Sequence, residues 1–223
     1  MPTVTVARND PAGAGLRLLH LAETLPDHRR AGQCLSVALP GASPAYFALA
    51  SVPGDPAQLL VKDQGETGRH LARLHPGDRI EVSPTLGEGF ALERVRERPL
   101  VVLCTGSAIS AGRPVVLGEI AARLPRPVHL LYGVLAPDHL SFTDDLETWA
   151  AAGVQVHVVV AEEGSAGWRG PTGFVQDVAE DLGLLRSDVG VVLAGVPEMI
   201  EDARARYLAA GCPPEHLLLN IPG

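Results

Sequence analysis

Lysine is almost absent from this 223-residue chain: Lys62 is the only one, and the rest of the positive charge is arginine. Schiff-base chemistry therefore has one candidate residue, in a segment that otherwise reads as a strand. Basic charge is also in the minority, with 18 Lys and Arg against 26 Asp and Glu and a formal charge of −8. That balance excludes nucleic acid as a partner, because a phosphate backbone requires a basic footprint. Any anion the chain binds is met locally. Cysteine is scarce: Cys34, Cys104 and Cys212 lie far apart and make no disulfide framework, no CxxC pair and no iron–sulfur spacing. The eight histidines contain no HxH and no HExxH, so no metal is expected. Long apolar runs are missing as well. No stretch is long enough to span a bilayer and Met1 opens no signal segment, so the sequence predicts no membrane partner and a cytoplasmic location.

The chain is 46% hydrophobic, and its length suits one large domain or two small ones. The first ninety or so residues read as short strands punctuated by Pro and Gly. Thr3–Val6, Leu35–Leu39 and Arg79–Val82 alternate, with turns at Pro11–Gly13, Pro40–Gly41, Pro53–Gly54 and Pro76–Gly77. This pattern predicts a small antiparallel barrel or sandwich, interrupted by one helix over Gly68–Leu74 with Thr67 as its N-cap. The charged segment Glu93–Pro99 predicts a boundary, giving one domain over 1–94 and a second over 99–223. Beyond it, apolar runs near Leu100–Cys104, Val128–Tyr132, Val154–Val160, Val189–Leu193 and Leu217–Asn220 alternate with helical patterns. The helices are expected over Gly112–Leu124, Asp144–Ala151, Phe174–Leu182 and Glu198–Ala210. Uniformly apolar strands separated by helices belong in a parallel sheet, which binds ligands beyond the carboxyl ends of its strands. That places Thr105–Ala108, Gly133–Ala136 and Ala194–Pro197 on one rim.

The run from Pro99 to Ala111 is the most informative segment: an apolar strand breaks at small residues and opens into a helix. Such a turn presents bare backbone N–H groups at a helix N-terminus, which favours a phosphate. A second strand, Val189–Leu193, ends in Ala194-Gly-Val-Pro197 and predicts a second wall for the same ligand. Gly106 and Gly195 can serve close ligand approach or plain packing. Two competing chemistries fail on spacing. A nucleophile elbow needs Gly-x-Ser-x-Gly, whereas Ser107 stands in Cys104-Thr-Gly-Ser-Ala108; a P-loop needs Gly-Lys-Ser/Thr, which is absent.

Several strings occur in the order of one family. Thr105-Gly-Ser-Ala-Ile-Ser-Ala111, Leu130-Leu-Tyr-Gly133, Gly167 to Asp177 and Ala194-Gly-Val-Pro-Glu-Met199 follow one another in the second half. Gly32-Gln33 to Pro40-Gly41, Phe47-Ala-Leu-Ala-Ser51 and Leu71-x-x-Leu-x-Pro-Gly-Asp78 do so in the first. The chain resembles the ferredoxin–NADP reductase superfamily of FAD- and NAD(P)H-dependent oxidoreductases over nearly its whole length. The resemblance implies a flavin-reductase-type barrel followed by an α/β nucleotide-binding domain. It also implies electron transfer from a nicotinamide dinucleotide through FAD to a separate protein, a small oxidant or a free flavin.

Departures fall at chemical positions. The family's flavin motif, Arg-x-Tyr-Ser/Thr, aligns with Ala45-Tyr46-Phe47-Ala48, so the phosphate cation and the hydroxyl near the flavin N5 are missing while Phe47 remains to stack. Ala194 stands where the family often has Cys, and Asn220–Gly223 offers no aromatic. FAD is accordingly expected to bind weakly or not to be retained. The expected cofactor contacts are Phe47, Ala48, Leu49 and Ser51 on the flavin side. Lys62 and Arg69 are substitute cations beside a helix start at Thr67 and Gly68. The dinucleotide contacts are Thr105, Gly106, Ser107, Ala108, Gly133, Ala194, Gly195, Val196 and Pro197. No catalytic residue is assigned. The alternative is a degenerate reductase-like subunit that serves nucleotide binding or docking without FAD.

Overall fold

The computed structural model describes residues 2–162 and 167–219. Its N-terminal part contains β1 (Thr3–Pro11), β2 (Leu16–Thr24), β3 (Cys34–Val37), β4 (Ala45–Ala48), β5 (Pro56–Lys62), α1 (Gly65–Ala72) and β6 (Arg79–Glu81). Four strands pair antiparallel in the order β5-β2-β1-β6, and β3 pairs antiparallel with β4. Antiparallel bridges from Val37 to Val82 and from Leu49 to Leu59 join the β3–β4 ladder to both sides of the larger sheet, closing a six-stranded barrel. Period-two alternation builds its core: Val4 and Val6, Leu19 and Leu21, Leu35 and Val37, and Leu59 and Val61 all turn inward.

One local expectation is corrected here. Helix α1 opens at Gly65, and Gln64 rather than Thr67 is the N-cap. Thr67 is buried inside the helix. Gly68 lies against the end of β5, where a Cβ would overlap the Lys62 carbonyl oxygen. The informative residue was Gly65, whose φ of +66° marks the turn into the helix.

The C-terminal part contains β7 (Leu100–Thr105), α2 (Ile109–Ala121), β8 (Val128–Val134), α3 (Thr143–Ala151), β9 (Gln155–Val160), α4 (Val175–Asp181), β10 (Gly190–Ala194), α5 (Pro197–Ala209) and β11 (Leu217–Leu219). All five strands run parallel, in the order β11-β10-β7-β8-β9. Alternate strand residues feed two cores. Val102, Leu130 and Tyr132 pack with Val115 and Val116 of α2 and Trp149 of α3, while Val101, Leu131 and Leu193 pack with Val178 of α4 and Tyr207 of α5. The sheet is thus buried on both faces, as its unbroken apolar strands require. Helix α2 begins three residues before its expected start, and Asn220, expected in the last strand, lies outside the described residues.

The core on the α2 side continues into the barrel through Leu16, Ala31, Leu60 and Phe90. Two arginines tie the halves together. Arg113 on α2 donates to the Ala50 carbonyl (2.7 Å) and Gln58 Oε1 (3.0 Å) in the barrel and to Asp145 Oδ2 (2.6 Å) on α3. Buried Arg126 pairs with Glu119 and donates to the Val95 carbonyl in the connecting segment. Removing one member of a buried pair of this kind leaves an uncompensated charge, typically costing about 3–5 kcal/mol.

Candidate functional site

Strand order reverses at β7: β8 and β9 lie on one side of it, β10 and β11 on the other. The crevice outside the carboxyl ends of β7 and β10 is therefore the switch point of the sheet, where open α/β sheets bind their ligands. Register assembles the expected rim, because Cys104 pairs with Ala194 and Thr105 with Gly133. Across the crevice the Val196 N–H donates to Thr105 Oγ1 at 3.2 Å. Thr105 to Ala108 are half-buried, Val196 and Pro197 are exposed, and Gly133 and Ala194 are buried.

The three rim glycines exist for different reasons. Gly106 has φ +53° and a Cβ there would meet nothing within 4 Å, so its requirement is conformational and the surface above its backbone is open. A Cβ on Gly133 would lie 2.8 Å from Val175 Cγ1, and one on Gly195 would overlap Thr105 Oγ1 and the Met199 methyl group. Gly133 and Gly195 are packing residues that let the strand ends approach. Among the three, open surface is left at Gly106.

Gly106 and Ser107 line a cleft of ≈ 330 Å³ whose other walls come from both halves of the chain. Lys62, Asp63 and Gln64 enter it from the β5–α1 connection, and Leu135 and His139 from the segment after β8. Lys62 is thus brought beside the switch-point turn. The amides that open α1, from Gly65 to Thr67, follow directly on Gln64, which replaces the expected start at Thr67–Gly68. Arg69 is exposed on α1 and does not line this cleft.

Strand β4 divides the residues expected to meet flavin. Phe47 pairs with Leu35 and packs on the barrel core, while Ala48 packs with Ala108 against the core shared with the second half. Alternation puts Tyr46 on the face of Ala48, and Tyr46 is 59% exposed. The exposed aromatic of β4 is therefore Tyr46, on the face opposite Phe47, which the β3–β4 register discloses and the motif alone does not. Leu49 is fully buried in the barrel core, so its side chain is a packing group rather than a cofactor contact. Ser51 carries a buried hydroxyl with no hydrogen-bond partner among the described residues, and it lines a separate cleft beside Gln58 and Arg113.

Reactive groups near the crevice are held inert. Burial pushes the Cys104 thiol up to about 12 and the Tyr132 phenol up to about 12, the latter accepting from the Ser141 N–H at 3.3 Å. A thiol so protonated is no nucleophile at neutral pH. The crevice offers surface for a ligand rather than a nucleophile. Among the described residues no group of three or more His, Cys, Asp or Glu could hold a metal ion, and no helix is long and apolar enough to cross a membrane.

Residues 102–205 match the family model of the oxidoreductase NAD-binding domain. The chain is 30% identical over 207 residues to the fruit protein pKIWI502 of Actinidia deliciosa, covering 85% of this chain and 65% of that protein. It therefore spans just under two thirds of that relative's length. It is 28% identical over 209 residues to an NAD(P)H-flavin reductase of Vibrio harveyi, covering 85% of this chain and 84% of the relative. The crystal structure of the Amycolatopsis cytochrome P450 reductase GcoB has the same fold, with a TM-score of 0.84 at 24% identity over 98% of this chain and 68% of that one. With its antiparallel barrel and five-stranded parallel sheet the chain has the ferredoxin–NADP reductase-like fold, and its second half belongs to the oxidoreductase NAD-binding domain family.

Proposed function

We propose that the chain is a flavin-dependent NAD(P)H oxidoreductase that passes electrons to a separate protein or a small oxidant. The dinucleotide lies along Thr105–Ala108 and the exposed Val196–Pro197, with Gly133, Ala194 and Gly195, expected as contacts, forming the packed strand ends beneath it. The observation that carries this reading is the cleft in which Gly106 and Ser107 of the switch-point turn face Lys62 and the start of α1. Open backbone at Gly106, the amides leading into α2 and one convergent cation suit the phosphates of a dinucleotide. The exposed ring of Tyr46 suits a flat ligand against β4.

Bound cofactors supply the hydride and electron chemistry, and the protein supplies orientation and electrostatics. Thr105 sets the spacing of the two rim walls by accepting from the Val196 N–H. Lys62 neutralises phosphate charge in the cleft. Exposed Leu135 and Val196 provide apolar contact that keeps water from the rings. The Vibrio relative's name as a flavin reductase supports electrons leaving to an external acceptor.

On β4, Ala45 and Ala48 offer neither a phosphate cation nor a hydroxyl, so FAD is held weakly. Hydrogen bonds to charged groups contribute roughly 1.5–3 kcal/mol, so losing one implies about ten- to a hundredfold weaker binding. The same two alanines favour the second reading, a docking or sensing subunit without flavin. One experiment separates them: the dialysed protein and its Ala45→Arg variant are assayed for NADH-dependent ferricyanide reduction with and without added FAD. The reductase reading expects activity restored by FAD and greater flavin retention in Ala45→Arg. Nucleotide binding with no turnover in any condition overturns it in favour of the subunit.

A further inference from the structure

At the far end of α2 from Gly106 the two halves border a second cleft, of ≈ 590 Å³, a size ordinary for small-molecule sites. The residues lining it are separate from those of the nucleotide rim. Its floor is apolar: Phe90 and Ala31 are buried beneath it, and Pro53 and Pro114 form walls. Gly118 also borders it, and a Cβ on Gly118 would meet nothing within 4 Å, so this part of the helix surface is open.

The edge of the cleft is basic. Four arginines and two glutamates line it. Arg126 is matched by Glu119, and Arg30 by Glu93 at 3.3 Å. Arg29 and Arg96 are exposed and have no ion-pair partner among the described residues. Two unmatched guanidinium groups above an apolar floor, in a chain of formal charge −8, complement one kind of small molecule.

We propose that this cleft is a second ligand site for a carboxylate carried on an apolar body. The body lies on Phe90 and Gly118, and the carboxylate meets Arg29 and Arg96. Because the barrel supplies Arg29 and Phe90 while α2 supplies Gly118, an occupant bridges the two halves and raises the thermal transition by mass action.

Calorimetric titration of the whole chain with 2-naphthoate, decanoate and the uncharged 2-naphthalenemethanol tests this. Saturable binding of at least one acid is expected, and the ratio of the two acids tells a flat body from a chain. The alcohol should bind about tenfold or more weakly than 2-naphthoate if the flat body is preferred, and neither naphthyl compound should match decanoate if the chain is. Arg29→Ala with Arg96→Ala should weaken the preferred acid roughly tenfold, both side chains being exposed. Gly118→Leu, which fills the floor from a helical position that tolerates Leu, should abolish binding. No saturable binding of either acid overturns the proposal, as does affinity for the preferred acid unchanged in the double arginine variant. That variant carries the test alone if Gly118→Leu fails to melt cooperatively.

Discussion

Thr105 Oγ1 and the Val196 N–H, 91 positions apart in sequence, meet at 3.2 Å and join the ends of β7 and β10. The same oxygen occupies the space that a Cβ on Gly195 would need, so the hydroxyl and the missing side chain require each other. Thr105→Val keeps the shape and loses the hydrogen bond. It should cost about 0.5–1.5 kcal/mol in urea unfolding and weaken NADH binding severalfold, with Thr105→Ser restoring both. Gly195→Ala should cost about 1–3 kcal/mol, as overpacking does.

Gly106 calls for a different outcome. Its φ of +53° lies where an L side chain costs about 1–2 kcal/mol, and a side chain there would project into open surface rather than into the core. Gly106→Val should therefore lower the thermal transition modestly and leave it cooperative, while calorimetry shows NADH binding weakened tenfold or more. Unchanged affinity would remove Gly106 from the binding surface.

The contrast among these glycines shows what the sequence could disclose. Strand ends rich in small residues were legible from Thr105–Ala108 and Ala194–Pro197, because the apolar strand period and its interruption are local. The filling of the Gly195 space by Thr105 was not, because that neighbour arrives only through the register of β7 with β10. The barrel was legible as a class, yet β2 (Leu16–Thr24), central in its sheet, lacked a clean alternation to mark it. Thr67 looked like an N-cap beside Gly68, but the chain turns at Gly65 and buries Thr67. Likewise Phe47 matched a motif position, while the pairing of β3 with β4 turns Tyr46 outward.

Nicotinamide preference follows from Leu135, which is 55% exposed and lines the cleft with Gly106. An apolar residue there offers no cation to a ribose 2′-phosphate, so kcat/KM should favour NADH over NADPH. Leu135→Arg should shift that ratio toward NADPH. Arg169 is exposed in the segment before α4, and a native preference for NADPH abolished in Arg169→Ala would assign the role to it instead.

Stability should fall as the solution is acidified below about pH 6.5. Burial lowers the pKa of His28, His129 and His157, and the stacked rings of His129 and His157, 5.9 Å apart, add mutual repulsion at His129 when charged. With folded values below the unfolded value of about 6.5, the unfolded chain binds more protons in that window. The stabilisation is complete above the unfolded pKa and is lost as pH falls through it. Denaturant unfolding at about pH 7.5 and pH 5 should show this slope, and His157→Gln should flatten it; an identical slope in the variant would exclude the pair as its source.

The most direct test is an anaerobic titration of the FAD-loaded chain with NADH, followed by visible flavin absorbance. The absorbance should bleach in proportion to NADH added, and Gly106→Val should slow the bleaching without altering the flavin spectrum before NADH is added. A flavin spectrum unchanged by saturating NADH would contradict the assignment of the crevice between β7 and β10 as the place where electrons enter.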